Sequence, residues 1–172
     1  MATRLERVLK SVPDSGTWVH GRTVASLRPV LLVEDNADDE ALAREAFRRA
    51  GVDNPIAVAR DGRAALDWLL AALDNPDEVE LPALILLDIN LPLIGGVEVL
   101  RRLRAHPQLS TLPVVVLSTS REPRDLRDCY RAGANAFICK PVEFAAFQQV
   151  VQKLADFWLR LNEMPPEERL GP

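Results

Sequence analysis

LPALILLDINLPLIGGVEVLRRL, residues 81–103, contains one complete folding unit. Residues 83–87 are an unbroken apolar run, and it stops at Asp88. An unbroken run, unlike an alternating one, marks a strand buried on both faces. Residues 89–94 have turn character, and Gly95 and Gly96 open a helix over 97–105. Strand, acid, turn and helix make one β/α unit, and the flanking sequence repeats the pattern in both directions.

Upstream, 30–33 is a short apolar strand followed by a helix over 37–50, where Leu42, Ala43, Ala46, Phe47 and Ala50 share one face and Gly51 sits at the C-cap. A second strand, 56–59, precedes a helix over 64–73 with Ala65, Leu66, Leu69 and Leu70 on its inner side. Residues 74–82 are acidic and hold two prolines, so they form a loop. Downstream come a fourth strand, 114–117, a fourth helix, 126–132, a fifth strand, 136–139, and a long last helix, 143–161. Five strands alternating with five helices imply a doubly wound α/β domain: a five-stranded parallel sheet with right-handed crossovers and a site at the C-terminal strand ends.

Composition agrees. The 172 residues are 48% hydrophobic and 27% charged, average for a globular chain. A net charge of −4 argues against a nucleic-acid binder, and two cysteines exclude a disulfide scaffold. No apolar run approaches the roughly 18 residues of a membrane span, and charges interrupt any signal-like N-terminus, so a cytoplasmic protein is expected. The expected division is an N-terminal extension (1–28), a domain (29–161) and a Pro-rich acidic tail (162–172). The extension carries Arg4, Arg7, Lys10, Arg22 and Arg28 against Glu6 and Asp14; it reads as a flexible arm or as an arm packed on the domain or a partner.

Polar residues directly after the strands face the functional crevice. They are Glu34, Asp35 and Asn36, then Asp88 and Asn90, then Ser118 and Thr119, then Lys140 and Pro141. Clustered carboxylates repel one another and call for a cation; oxygen donors with open positions suit Mg²⁺. A lysine and a hydroxyl suit phosphate oxygens, which makes Asp88 a candidate nucleophile forming an aspartyl phosphate.

The segments VLLVEDN (30–36), LILLDINLP (84–92), VVVLSTS (114–120) and FICKP (137–141), in this order over a (βα)5 pattern, resemble the response-regulator receiver domain of two-component signalling. The resemblance implies a flavodoxin-like fold with strand order 2-1-3-4-5. It implies that Asp88 is the phosphoacceptor, that Asp35, Asp88 and the Asn90 carbonyl ligate Mg²⁺, and that Glu34 does so through water. Ser118 and Phe137 resemble the switch pair, and Lys140 resembles the lysine that pairs with the phosphoryl group, its bond to Pro141 being cis. DGRAALDWLL (61–70), the acidic loop, Tyr130, GANAFICKPVEF (133–144), Phe147 and FWL (157–159) further resemble the single-domain regulators paired with phytochrome-type histidine kinases. With about 11 residues after the last helix, output is expected through protein interaction or a phosphate-sink role.

Three positions depart from the usual pattern. Gly95 replaces a common Asp or Asn, Ser118 replaces the commoner Thr, and Ser120 is small enough to leave the phosphoryl group open to water. Two rival readings stand beside the receiver. An aspartyl-nucleophile phosphatase would need an acid where Asn90 stands. A receiver-fold interaction module working without phosphorylation would not need Asp88.

Elsewhere the structural readings prevail. Cys129 and Cys139 are expected to be reduced thiols, Cys139 on a buried strand. His20 and His106 lack ligand spacing, and Trp68 and Trp158 read as packing anchors. Phe144, Phe147, Val151, Leu154, Phe157, Trp158 and Leu161 form a stripe along the last helix, its far end exposed. A homodimer through the fourth helix, fifth strand and fifth helix is expected to use it.

Overall fold

The structure is a computed structural model describing residues 27–165. His20, most of the expected extension and the tail beyond residue 165 lie outside the described residues. Five strands, β1 (Val30–Val33), β2 (Ile56–Ala59), β3 (Leu84–Leu87), β4 (Val114–Ser118) and β5 (Ala136–Cys139), alternate with five helices. These are α1 (Ala37–Arg49), α2 (Gly62–Asp74), α3 (Gly96–Ala105), α4 (Pro123–Arg131) and α5 (Phe144–Leu154). All pairings are parallel, in the order β2-β1-β3-β4-β5, as the sequence implied.

Side-chain alternation distributes each strand between two cores. Leu31, Val33, Ile85, Leu87, Val114 and Val116 face the layer of α2, α3 and α4. Val30, Leu32, Leu84, Leu86, Val115 and Leu117 face the other layer, where α1 contributes Ala43, Ala46 and Phe47 and α5 contributes Phe147, Val151 and Leu154. The three inner strands are therefore buried along their whole length.

Local chemistry sets the helix starts. Asn36 caps α1, its side chain accepting from the Asp38 and Asp39 N–H groups, and Asp61 caps α2 by accepting from the Ala64 N–H. The start of α3 is a matter of space: a Cβ on Gly96 would lie 2.3 Å from the Asp88 carbonyl oxygen and 2.7 Å from the Ile89 Cα.

Several expectations need correction. Helix α4 begins at Pro123, not at residue 126, because proline suits the first helical turn. The last helix is α-helical only to Leu154; Ala155–Leu161 widens into a π-helical turn, closed by the Asn162 N–H donating to the Phe157 carbonyl. In that turn Arg160 Nη2 donates to the Ala50 and Gly51 carbonyls at 2.9 and 3.0 Å, which terminates α1. Cys139 is exposed, because β5 is the sheet edge, whereas Cys129 is fully buried. Burial, then Asp125 and Asp128, push the Cys129 thiol up to about 11.

Candidate functional site

The sheet ladder continues one residue past three strands. The Glu34 N–H donates to the Ala59 carbonyl, the Asp88 N–H to the Val33 carbonyl and the Lys140 N–H to the Ser118 carbonyl. Each of the three side chains is thereby fixed at the same C-terminal edge. Lys140 lies at its centre: its Nζ donates to Glu34 Oε2 at 2.5 Å, Asp39 Oδ2 at 2.8 Å and Asp88 Oδ2 at 2.9 Å. The Lys140–Pro141 peptide is trans, contrary to the expectation of a cis bond. The ladder bond from the Lys140 N–H already aims this side chain at the acids, so the trans peptide suffices.

Glu34, Asp88 and Lys140 have side chains no more than 9% exposed, while Asp39 is 36% exposed. The second oxygens of the two buried carboxylates are held by the backbone: Glu34 Oε1 accepts from the Asn36 N–H and Asp88 Oδ1 from the Asn90 N–H. Burial raises the Glu34 pKa above its ordinary value, with Lys140 opposing the shift. Burial also disfavours charge on Lys140, but its bonds to Asp39, Glu34 and Asp88 outweigh this and hold its pKa above the usual lysine value. Three carboxylates around one ammonium leave the site anionic, so an incoming phosphate needs further positive charge.

The other expected residues lie outside this set of ion pairs. Asp35 is exposed and makes no hydrogen bond or ion pair among the described residues. Among the described residues, no three His, Cys, Asp or Glu side chains form a metal-holding group. The expected donor set, two carboxylates and a backbone carbonyl, is nonetheless of the kind a hard Mg²⁺ ion takes. Ser118 is fully buried, and its Oγ accepts from the Ser120 N–H at 3.2 Å. Phe137 is half-buried on the core that faces α2, α3 and α4. A cavity of about 210 Å³ opens beside Lys140, with Glu34, Asp39, Leu42, Thr119, Val142 and Phe147 among its lining residues.

Sequence reasoning missed Asp39 and the pairing of Ser120 with Asp125. Asp39 stands in the first turn of α1, where an acid is favoured by the helix dipole alone, so nothing local marked it out. Ser120 and Asp125 are joined by a 2.5 Å bond from the serine hydroxyl, which ties the β4 end to α4. Their spacing over the N-terminus of α4 was the available signal. Trp68 is a buried core residue, as expected, and Trp158 packs edge-on to Phe157 at 4.9 Å. His106 is half-buried at the end of α3.

Comparison with known proteins agrees with this geometry. Residues 30–152 match the response regulator receiver domain family. The chain is 39% identical to the probable methanogenesis regulatory protein FilR2 of Methanothrix harundinacea, over 79% of this chain and 86% of that one. It is 36% identical to the response regulator Rcp1 of Synechocystis, over 79% and 92%. Among solved structures, the Mn²⁺-bound form of Rcp1 is similar at 34% identity and TM-score 0.71, covering 80% of this chain and 99% of that one. The phosphorylated cyanobacterial phytochrome response regulator RcpA is similar at 36% identity and TM-score 0.73, covering 80% and 98%. The bacteriophytochrome response regulator AtBRR is similar at 44% identity and TM-score 0.62, covering 80% and 99%. A buried aspartate bonded to a lysine at the end of the central strand, a parallel 2-1-3-4-5 sheet and these relatives lead to one conclusion: the chain belongs to the response regulator receiver family, alongside regulators of phytochrome signalling.

Proposed function

We propose that the protein is a phosphoryl-accepting signalling switch, not an enzyme with an external substrate, and that Asp88 takes its phosphoryl group from a sensor histidine kinase, of phytochrome type, in the cytoplasm. The observation that carries this is the 2.9 Å bond from Lys140 Nζ to a buried carboxylate at the end of β3. An Asp88 oxygen attacks phosphorus in line. The phosphorus–nitrogen bond of the phosphohistidine breaks, and its electron pair goes to the imidazole nitrogen, which takes up a proton.

Mg²⁺, held by Asp35, Asp88 and the Asn90 carbonyl and through water by Glu34, would supply the charge that neutralises the phosphoryl oxygens. Lys140 pairs with one of those oxygens as a point charge. The Ser118 hydroxyl, an acceptor in the resting site, still has its own proton to donate to another. Drawing Ser118 inward lets Phe137 repack and shifts the face of α4, β5 and α5 between two populations. The exposed Leu42 and Val142 beside the cavity form an apolar rim that a docking kinase would meet. The reading of the kinase as phytochrome-type rests on the named phytochrome regulators among the similar structures. A homodimer through α4, β5 and α5 is the output state we infer, and the three-part division at residues 29 and 161 goes with it.

The test is intact mass after incubation with acetyl phosphate and Mg²⁺. One phosphoryl adduct is expected on the parent and none on Asp88→Asn. A parent that forms no adduct and also ignores beryllofluoride would overturn the reading.

A further inference from the structure

An ammonium has three protons to donate, and in the resting site all three of Lys140 are taken, by Glu34, Asp39 and Asp88. A phosphoryl oxygen can bond to Lys140 only if one of these partners lets go. The three are not equivalent. Glu34 and Asp88 are buried, and a backbone N–H holds the second oxygen of each in place beside the lysine. Asp39 is 36% exposed, and water can replace the lysine there. Asp39 also stands on α1, apart from the strand ends that hold the other two.

We propose that Asp39 is a positioning residue: it holds the third proton of Lys140 in the resting site and is the partner the lysine gives up when a phosphoryl oxygen arrives. This rests on the phosphoacceptor reading above. Asp39 therefore sets the threshold for occupation of the site. It aims the lysine, and it competes with the phosphoryl group for it. A purely structural role, an acid near the N-terminus of α1, is shared by Asp38, which precedes it in the same turn and makes no contact with Lys140.

The two roles separate in a beryllofluoride titration of the full chain at saturating Mg²⁺, followed by amide NMR. Asp39→Ala is expected to bind about fivefold tighter than the parent, the scale of one partly exposed ion pair. Asp39→Asn, which keeps an acceptor oxygen, is expected between the two, and Asp38→Ala at the parent value. Before any beryllofluoride is added, the Lys140 ammonium protons should exchange faster with water in Asp39→Ala than in the parent. Binding by Asp39→Ala no tighter than by Asp38→Ala, or an unchanged ammonium exchange rate, would overturn the role of Asp39 alone. No binding by the parent would overturn the phosphoacceptor reading with it.

Discussion

Gly96 shows how closely the site depends on its neighbours. Its missing side chain is the space that the Asp88 carbonyl occupies, so any Cβ there pushes directly on the strand end carrying the carboxylate. Gly96→Ala is expected to lower stability by about 1–3 kcal/mol, the usual cost of overpacking, and to slow adduct formation by acetyl phosphate beyond that. A denaturant midpoint and an adduct time course measure the two effects separately; an unchanged time course would argue that Asp88 tolerates displacement. At this scale the sequence was informative where a polar residue directly followed an apolar run, as with Glu34, Asp88, Ser118 and Lys140. It was silent on Asp39, because nothing within α1 says that a lysine from a distant strand comes to meet it. It misled at Cys139, because whether a strand is central or at the edge is decided by its partners and not by its own residues.

Among the elements, the last helix departs most from its sequence pattern. Its apolar spacing continues smoothly past Leu154, yet the backbone widens there and Arg160 turns to the carbonyl end of α1. A local pattern cannot report a bond to residues more than a hundred positions away. The expected exposure at the far end does hold, with Phe157 and Leu161 52% and 74% exposed. If this end contributes to a homodimer, Phe157→Ser with Leu161→Ser should convert a dimer to a monomer in light scattering at high micromolar concentration. A monomeric parent would remove the dimer from the account. Helix α1 has a different dependence, on pH. Arg48 and Arg49 hold Glu45 down to about 2, and Arg60 and Arg44 hold Glu40 below the ordinary value despite its partial burial. Both carboxylates have lowered folded-state pKa values, so the stability they bring is complete above about pH 4.5 and is lost as pH falls through those values. Denaturant midpoints measured from pH 6 to pH 2 should fall less steeply for Glu45→Gln than for the parent.

Over the whole molecule, the sheet separates two helix layers, and the individual helices are attached unequally. Helix α4 contributes a single buried side chain, Cys129, and leaves Leu126 and Tyr130 exposed, whereas α1 and α5 share a continuous core through Phe47, Phe147 and Val151. The architecture was legible because apolar runs alternating with helices admit few topologies. The inequality between helices was not, because it depends on how much of each helix finds a partner. Helix α1 is also fastened beyond its core contacts, near its start through Asp39 to Lys140 and at its end through the Ala50 and Gly51 carbonyls to Arg160. Of these two bolts only the first lies where charge chemistry can undo it. Once a phosphoryl oxygen claims the lysine, α1 keeps its core contacts, the Glu40–Arg60 pair and the Arg160 tie but loses its link to β5, and one exchanged hydrogen bond becomes a change in the mechanical compliance of one corner of the protein.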